Sequence, residues 1–291
     1  MKFATFSEGN HQRVGIVVGN GSGIVDVSRH IPDAPRDMIE LISRWKDLRS
    51  KLERIGSKVP DFPFSSVRLH APIPRPGKIL AIGLNYLDHI EETHTQKPEY
   101  PTYFAKMTSA ANGPFDSIQL PAVSEQLDYE AELVFVIGKR CRNVPRDRAS
   151  EVIFGYCAGD DVSVRDWQLR TSQWVIGKSF DTHAPFGPWI TTSEELDPHT
   201  LGIRCFVNRD RRQNSNTSNL VFDCFTQVEF LSKVMTLMPG DVIFTGTSSG
   251  VALARKPQPW LKVGDLVRVE IDQLGALENK VVAGPSDVLI A

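Results

Sequence analysis

The 291-residue chain has few cysteines, no long apolar run and almost no excess of charge of either sign. Its four cysteines are far apart and form no CxxC or Cys/His cluster, which excludes a zinc site of the usual spacing and predicts buried free thiols. No apolar run reaches the about 18 residues that a transmembrane helix needs. The formal net charge is −2, from 33 basic and 35 acidic residues, which argues against nucleic acid or an anionic membrane as a partner.

The first residues, MKFATFSEGN, become polar after a few positions and lack the apolar core of a secretory signal peptide. Together with the scarce cysteines, this favours a cytoplasmic location. Hydrophobic residues make up 41% of the chain and charged residues 23%, which is typical of a globular protein. We therefore expect a small molecule as the partner.

The first 55 residues predict a small α/β unit. The β-branched runs MKFATF, RVGIVVG and GIVDVS are bounded by glycine and asparagine, as strands and hairpin turns are. Gly19, Gly21 and Gly23 precede another strand-like run, so they do not form a dinucleotide-binding loop, which a helix would follow. Between Arg36 and Ile55 the apolar residues have the spacing of one helical face.

A proline-rich connector, VPDFPFSSVRLHAPIPRPGK, follows this unit and cannot continue a helix. It places a boundary near residue 70, between a small N-terminal domain (1–70) and a larger second domain (71–291). In the second part, short apolar strands such as KILAIG, GDVIFTG and DLVRVEI alternate with Gly/Pro turns, and helices such as FTQVEFLSKVMTL are few. The predicted fold class is α+β and rich in β-strands.

The segment LDYEAELVFVIGK carries two glutamates at the mouth of an apolar strand. Because side chains alternate along a strand, Glu130 and Glu132 point to the same side. Two carboxylates this close raise each other's pKa unless a cation neutralises them. The alternative is a strand end at which both glutamates are solvated, as most charged residues are.

A second acidic patch, GYCAGDDVSVRDWQ, favours the interpretation that the two glutamates bind a cation. Its Asp160 and Asp161 are adjacent, so in extended chain only one of them can face the same cavity as the glutamates. Asp160 is the weaker candidate, and it is free to cap a turn or helix. Three carboxylates form an all-oxygen set, which selects Mg²⁺ or Mn²⁺ over zinc and is also compatible with Ca²⁺.

A third patch, GLNYLDHIEETH, places His89 and Glu92 three residues apart, which makes them neighbours on one face if the segment is helical. A carboxylate beside an imidazole orients it and raises its basicity, so the pair suits acid/base catalysis. The alternative is an incidental surface pair. His94, further along, is interpreted as a surface residue.

A fourth patch, WVIGKSFDTHAPFGPW, places Lys178 directly after an apolar run. A lysine in this setting is expected to be partly enclosed, where its ammonium group can stabilise an enolate or a carboxylate. The alternative is a lysine whose aliphatic stem covers apolar surface while its charged end reaches water.

Six blocks, in order between about Ile73 and Val282, resemble the fumarylacetoacetate hydrolase family. They are GLNYLDH, LDYEAELVFVIGK, GYCAGDDVSVRDWQ, GKSFDTHAPFGPW, MTLMPGDVIFTGTSSGV and LKVGDLVRVEIDQLG. The resemblance implies that Glu130, Glu132 and Asp161 bind the metal and that His89 and Glu92 form an acid/base dyad. It also implies a mixed β-sheet roll, usually a homodimer, with an accessory N-terminal domain as in the longer members.

The same resemblance places Arg165, Gln168 and Lys178 at positions that line the substrate site. The family often has GTPxG where this chain has Gly-Thr-Ser-Ser-Gly at 246–250. Thr247 remains available to bind a substrate carboxylate. Ser248 replaces the usual proline, which bears on the backbone geometry of this loop.

The implied reaction is metal-dependent cleavage of a carbon–carbon bond in a 2,4-dioxo acid of the acylpyruvate or fumarylpyruvate type, since such an acid chelates a cation through adjacent oxygens. His89 would activate water, Lys178 and Gln168 would stabilise the oxyanion, and Arg165 would hold the carboxylate. Without an attacking water, the same residues suit oxaloacetate decarboxylation or keto–enol tautomerisation. A non-catalytic metabolite-binding protein is the alternative from another class.

Overall fold

The computed structural model describes residues 1–9 and 11–290, and most of its regular structure is β-strand. The strands are β1 (Lys2–Glu8), β2 (His11–Val18), β3 (Gly23–Asp26), β4 (Phe62–Pro63), β5 (Arg68–Leu69), β6 (Ile79–Gly83), β7 (Thr102–Lys106), β8 (Ala111–Asn112), β9 (Ile118–Leu120), β10 (Leu127–Asp128), β11 (Ala131–Ile137), β12 (Ile153–Asp160), β13 (Ser163–Val164), β14 (Ala184–Thr192), β15 (Gly202–Val207), β16 (Asp210–Asn216), β17 (Val242–Thr247), β18 (Leu266–Ile271) and β19 (Gly275–Ala283). The α-helices of this part of the chain are α1 (Val27–His30), α2 (Met38–Ser43), α3 (Trp45–Ile55), α4 (Leu87–Glu92), α5 (Arg165–Gln168), α6 (Val175–Lys178) and α7 (Cys224–Val234).

The larger sheet has twelve strands within the described residues, ten of them in the order β4-β3-β2-β1-β14-β12-β11-β17-β6-β7. Strand β11 lies inside this sheet, antiparallel to both β12 and β17. Strand β17 is parallel to β6, and β6 is antiparallel to β7. A second sheet has the order β16-β15-β18-β19-β9, and β10 pairs with β13. The predicted β-rich α+β fold with a mixed sheet is confirmed.

Strand β11 is buried on both faces, and its side chains alternate between two cores. Leu133 and Phe135 pack in the cluster that includes strands β15, β18 and β19 of the second sheet. Val134 and Val136 pack in the opposite cluster, together with α2 and α3. Burial of one such side chain stabilises the fold by about 1.5–3 kcal/mol, so this strand is firmly held at the centre of the protein.

The N-terminal strands continue the larger sheet, because β1 pairs with β14 at Lys2↔Thr191 and Phe3↔Ile190. The predicted strands and hairpin are present as β1 to β3. The predicted helix is divided in two at Arg44, and Asp37 caps the first part by accepting a hydrogen bond from the backbone of Glu40. The division of the chain near residue 70 stays a prediction.

The four cysteines are free thiols, as expected. Cys157, Cys205 and Cys224 are buried, but Cys141 is only half-buried because it lies in the loop after β11, where its backbone pairs with Leu237. Over the described chain, no helix is long and apolar enough to cross a membrane.

Candidate metal centre and active site

Three carboxylates, Glu130, Glu132 and Asp161, converge at one end of β11. One oxygen of each lies within 4.8 Å of the others, and all three residues are buried. Glu130 lies in the break between β10 and β11, while Glu132 is part of β11. Asp161 follows β12, whose last residue, Asp160, is paired with Ala131. The register between two neighbouring strands therefore brings the three predicted ligands together.

Three buried cations surround these carboxylates. Lys178 Nζ lies 2.6 Å from Glu130 Oε2 and 2.7 Å from Asp161 Oδ2. Arg165 Nη2 lies 2.6 Å from Glu130 Oε1. Lys106 Nζ lies 2.5 Å from Asp161 Oδ1 and also donates to a backbone carbonyl. Glu130 and Asp161 thus each have two cationic partners, which offset the cost of burying their charges.

Glu132 differs from the other two carboxylates, since it has no cationic partner within 4 Å among the residues described. Its Oε2 accepts the backbone N–H of Gly246 at 2.7 Å. Burial raises the pKa of Glu132 well above its ordinary value, and the negative charges of Asp161 and Glu130 raise it further. Burial also raises the pKa of Glu130, but nearby cations, Arg165 foremost, outweigh burial and hold that pKa below its ordinary value.

This donor set fits a hard divalent cation. Its ligand atoms are all carboxylate oxygens, which suit Mg²⁺, Mn²⁺ and Ca²⁺ better than zinc. A cation at the centre of the three would supply Glu132 with the positive partner that the described residues do not provide. The identity of these residues as ligands stays a prediction that the geometry supports.

Two further buried aspartates hold the backbone and side chains of the site in place. Asp160 is not part of the three-carboxylate cluster, and its Oδ1 accepts the backbone N–H of Glu130 at 2.7 Å. Burial raises the pKa of Asp160 to about 7. Asp128 lies 2.8 Å from Arg165 Nε and also accepts the backbone N–H of Ala252 at 2.8 Å. Asp128 was not recognised in the sequence.

The predicted pair His89 and Glu92 lies on helix α4, with 3.4 Å between His89 Nδ1 and Glu92 Oε2. Glu92 also accepts the backbone N–H of Gly250 on both carboxylate oxygens, at 3.0 Å each. Burial raises the pKa of Glu92, but its contacts with His89 and Gly250 outweigh burial, so the net shift is downward. His94 lies beyond the helix and is exposed, as expected.

The loop 246–250 adopts a conformation that its two glycines permit. Gly246 has φ +97°, and a Cβ there would lie 2.7 Å from the Cβ of Asn85. Gly250 has φ +107°, and a Cβ there would lie 2.1 Å from the carbonyl oxygen of Arg212. Both residues therefore need to be glycine. Their N–H groups are the ones that bind Glu132 and Glu92, so this loop connects the metal centre to α4.

Thr247, which was expected to bind a substrate carboxylate, has a hydroxyl that is already hydrogen-bonded within the protein. Its hydroxyl donates to the carbonyl oxygen of Ala131 at 3.0 Å and accepts from Gln213 Nε2 at 2.8 Å. A hydroxyl has one proton, so in this geometry Thr247 has none to donate to a substrate carboxylate. Ser248, at the position of the usual proline, accepts from the same Gln213 through its carbonyl oxygen at 2.9 Å.

Arg165 likewise has partners on all three nitrogens. Besides its contacts with Asp128 and Glu130, its Nη1 donates to Gln168 Oε1 at 2.9 Å. In this arrangement Arg165 orients Glu130 and Gln168. The predicted binding of a substrate carboxylate by Arg165 depends on N–H groups that these contacts leave free, and it stays a prediction.

A cavity of about 300 Å³ adjoins the carboxylates. Seven of the nine predicted site residues line it, whereas Asp161 and Glu92 are not part of its lining. The polar lining consists mainly of His89, Glu130, Glu132, Arg165, Gln168, Lys178 and Thr247, and the apolar lining includes Ile82, Leu84, Phe104, Leu169, Trp174 and Leu253. A volume at the small end of the usual range for ligand sites suits a small substrate.

Sequence reasoning missed Lys106 and Gln213 as well as Asp128. Lys106 ends strand β7, TYFAK, and Lys178 follows the apolar run WVIG. A lysine at the end of an apolar segment was therefore a signal that could have identified both residues. Gln213 lies in a polar strand, DRRQNSN, and nothing in that segment distinguishes it from its exposed neighbours.

Residues 78–282 match the family described as fumarylacetoacetate (FAA) hydrolase, C-terminal. The chain belongs to the fumarylacetoacetate hydrolase family. Among curated relatives, the mitochondrial oxaloacetate tautomerase of Xenopus laevis is 42% identical over 280 residues, which cover 95% of this chain and 88% of that protein. The predicted resemblance is confirmed.

Solved structures of the fumarylacetoacetate hydrolase family have the same fold. The maleylpyruvate hydrolase of a Sphingobium species, in complex with manganese(II) and pyruvate, is 37% identical with a TM-score of 0.82. The 5-carboxymethyl-2-hydroxymuconate delta-isomerase of Mycobacterium smegmatis is 37% identical with a TM-score of 0.79. Each comparison covers 98% of this chain and 100% of the other.

Membership of the fumarylacetoacetate hydrolase family confirms the prediction that the chain is an enzyme of a metal-dependent family acting on oxo acids. The predicted cytoplasmic location is wrong. The Xenopus relative is named as mitochondrial, and the scarcity of cysteines that suggested the cytoplasm fits any reducing compartment equally well.

Proposed function

We propose that this enzyme is a divalent-metal-dependent keto–enol tautomerase acting on oxaloacetate. The observation that carries the proposal is the 42% identity, across 95% of this chain, with a relative named oxaloacetate tautomerase. The buried three-carboxylate centre and a cavity of about 300 Å³ support it, because a small 2-oxo acid with adjacent oxygens can chelate a cation there.

Ketonisation of the enol moves a single proton, since the hydroxyl on C2 loses one, C3 gains one and no water is consumed. A divalent cation held by Glu130, Glu132 and Asp161 would polarise the 2-oxo group and stabilise the enolate. Among the lining side chains of the described chain, His89 is the one histidine, the residue type most often used as a general acid or base. Its Nδ1 faces Glu92, so Nε2 is the nitrogen that exchanges the proton at C3.

The remaining side chains bind and orient the substrate. Lys178 Nζ, held between Glu130 and Asp161, stabilises negative charge on the enolate oxygen. Gln168 accepts from Arg165 through Oε1, and within the described chain no residue accepts from its Nε2, so that amide is free to donate to a substrate carboxylate. The apolar wall, including Phe104 and Trp174, limits the water around the intermediate.

A second candidate is hydrolysis of an acylpyruvate-type 2,4-dioxo acid, which the sequence analysis placed first. The 37% identity with a maleylpyruvate hydrolase bound to manganese(II) and pyruvate favours it. In that reaction His89 would activate water for attack on the distal carbonyl, and the pyruvate half would leave as its enolate. The two reactions differ in whether a carbon–carbon bond breaks.

One substrate panel tests both candidates. Enol oxaloacetate is followed by the loss of its ultraviolet absorbance, with Mn²⁺ or Mg²⁺ and again after EDTA, while NMR identifies the products. We expect metal-dependent conversion to keto oxaloacetate without pyruvate or CO₂. Release of pyruvate from acylpyruvates at a much higher kcat/KM than enol turnover would establish the hydrolase instead. Pyruvate and CO₂ from oxaloacetate would indicate decarboxylation.

A further inference from the structure

Gln213 belongs to the second sheet, but its side chain reaches the first residue of β11 in the first sheet, between Glu130 and Glu132. It lies in β16 and is 1% exposed. Its Oε1 accepts the backbone N–H of Ala131 at 2.9 Å. Its Nε2 donates to the hydroxyl of Thr247 at 2.8 Å and to the carbonyl oxygen of Ser248 at 2.9 Å. Both amide hydrogens and one oxygen lone pair are therefore used.

The groups that Gln213 binds lie where the regular strand pairing is interrupted. The chain leaves strand geometry between β10 and β11, and the pairing of β11 with β17 shifts register between Glu132 and Val134. At such an irregularity, backbone groups lose their ladder partners and need others. Asp160 takes the N–H of Glu130, and Gln213 takes the next one, that of Ala131.

Ala131 separates Glu130 from Glu132, so its peptide group determines how the two carboxylates are presented. We propose that Gln213 is a positioning residue: it holds this peptide and the adjoining Thr247–Ser248 backbone so that the two glutamates can bind one cation. Gln213 contacts none of the three carboxylates and is not itself a ligand. The inference rests on the metal-binding part of the proposed function and is independent of the oxo acid that is converted.

Gln227 provides a matched control, because it is another fully buried glutamine. It lies in α7, and its Nε2 donates to the carbonyl oxygen of Phe222 at 2.9 Å. It makes no contact with Glu130, Glu132 or Asp161. If a buried amide only stabilises the fold, replacing either glutamine should lower thermal stability and leave metal binding unchanged. If Gln213 positions the ligands, only its replacement should weaken metal binding.

The test compares Gln213→Met with Gln227→Met, since methionine has a similar shape and makes no strong hydrogen bonds. Mn²⁺ alone is titrated into each purified full-length protein by calorimetry, and the electron paramagnetic resonance spectrum of bound Mn²⁺ is recorded. We expect Gln213→Met to bind Mn²⁺ about 10–100-fold more weakly with an altered spectrum, the usual cost of losing a residue that orients metal ligands. Gln227→Met should match wild type in both measurements.

A second variant keeps the test decisive if Gln213→Met does not fold. Gln213→Glu retains an oxygen for the Ala131 N–H but loses the donors to Thr247 and Ser248, so its Mn²⁺ affinity should lie below wild type. Wild-type affinity and spectrum in either folded Gln213 variant would overturn the inference. Because no substrate is present, these results are separate from the choice of reaction: wild type that binds Mn²⁺ but does not ketonise oxaloacetate refutes only the proposed function.

Discussion

Gly250 donates its backbone N–H to both carboxylate oxygens of Glu92, at 3.0 Å each. The same carboxylate lies 3.4 Å from His89 Nδ1. Glu92 therefore has two partners, an imidazole that it can orient and a loop that anchors helix α4. Because Gly246 in the same loop binds Glu132, the acid/base pair and the metal centre are attached to one short segment of backbone.

We predict that His89 and Glu92 act as one catalytic unit. Loss of His89 in His89→Ala should lower kcat by about two to four orders of magnitude, the usual contribution of a positioned acid or base. The double variant should cost little more than His89→Ala alone, because both residues serve one proton transfer. A double-mutant cycle on enol oxaloacetate ketonisation measures this. Strictly additive losses, or lost Mn²⁺ binding in His89→Ala, would show that the dyad assignment is wrong.

The two contacts of Glu92 can be separated by choice of substitution. Glu92→Gln keeps an oxygen for the Gly250 N–H but removes the charge beside His89, whereas Glu92→Ala removes both. We expect Glu92→Gln to lose activity with only a small loss of thermal stability, because the ionised carboxylate is stabilised by the fold. Glu92→Ala should lose activity and considerably more thermal stability. Glu91→Gln, at an exposed position on the same helix, is the control. Equal activity in Glu92→Gln and wild type would show that Glu92 anchors helix α4 to the loop but does not assist His89 in catalysis.

Removal of the charge at Glu132 should have opposite effects on metal binding and on stability of the metal-free protein. Glu132→Gln loses a proposed ligand, so Mn²⁺ affinity should fall by more than the about 10–100-fold that is typical of residues behind the ligands. The same change removes a buried carboxylate repelled by two others, so the metal-free variant should melt at a higher temperature than wild type in EDTA. Calorimetric titration and thermal melts measure both, with exposed Glu125→Gln as the control. Retained Mn²⁺ affinity would refute the ligand assignment.

Lys106 is expected to stabilise Asp161 until a metal binds. Both side chains are fully buried and lie 2.5 Å apart. Because Lys178 still pairs with Asp161, Lys106→Met should lower the free energy of unfolding in EDTA by about 1.5–3 kcal/mol, the usual contribution of a hydrogen bond to a charged group. Saturating Mn²⁺ should restore part of this loss by binding only the folded state. Chemical denaturation with and without Mn²⁺ measures both effects, and exposed Lys139→Met should change neither. Wild-type stability of metal-free Lys106→Met would contradict this role.

His183 should make the protein less stable in acid. Burial lowers its pKa from 6.5 to about 3, with the ring 2.7 Å from the carbonyl oxygen of Gln119. Between these pH values the unfolded chain takes up a proton that the folded protein does not, so stability falls as pH decreases from 6.5 towards 3, by up to about 1.4 kcal/mol per pH unit. In His183→Gln this contribution should vanish, whereas exposed His11→Gln should keep it. Parallel curves of unfolding free energy against pH for wild type and His183→Gln would exclude a contribution of His183 to acid sensitivity.

The sequence resemblance also predicts a homodimer, and closed symmetric dimers are the commonest assembly of soluble proteins. Light scattering of the purified protein should give twice the mass of the chain. A mass equal to one chain at micromolar concentration would contradict this prediction.

Local sequence patterns predicted the parts of the site that depend on a single element. The period of two along a strand predicted that Glu130 and Glu132 point to one side. Strand β11 begins only at Ala131, yet one oxygen of each glutamate lies within 4.8 Å of Asp161. The three-residue spacing placed His89 and Glu92 on one helical face. These relationships involve neighbours in the chain, so intrinsic backbone geometry decides them.

The sequence by itself determined the fold class, the family and the types of residue that meet at the site. Only the tertiary structure decided which charges neutralise one another. Lys106 reaches Asp161 although β6, β17 and β11 separate β7 from β12 in the sheet, because the chain after β7 returns through β8 to pair with β14, the neighbour of β12. Gln213 reaches Ala131 because the second sheet packs on the first. The resemblance assigned Thr247 and Arg165 to the substrate, and only the structure shows that the Thr247 hydroxyl donates to Ala131 and that Arg165 pairs with Asp128. Such contacts join residues tens of positions apart, and their geometry follows from strand order and packing, which no local pattern in the chain encodes.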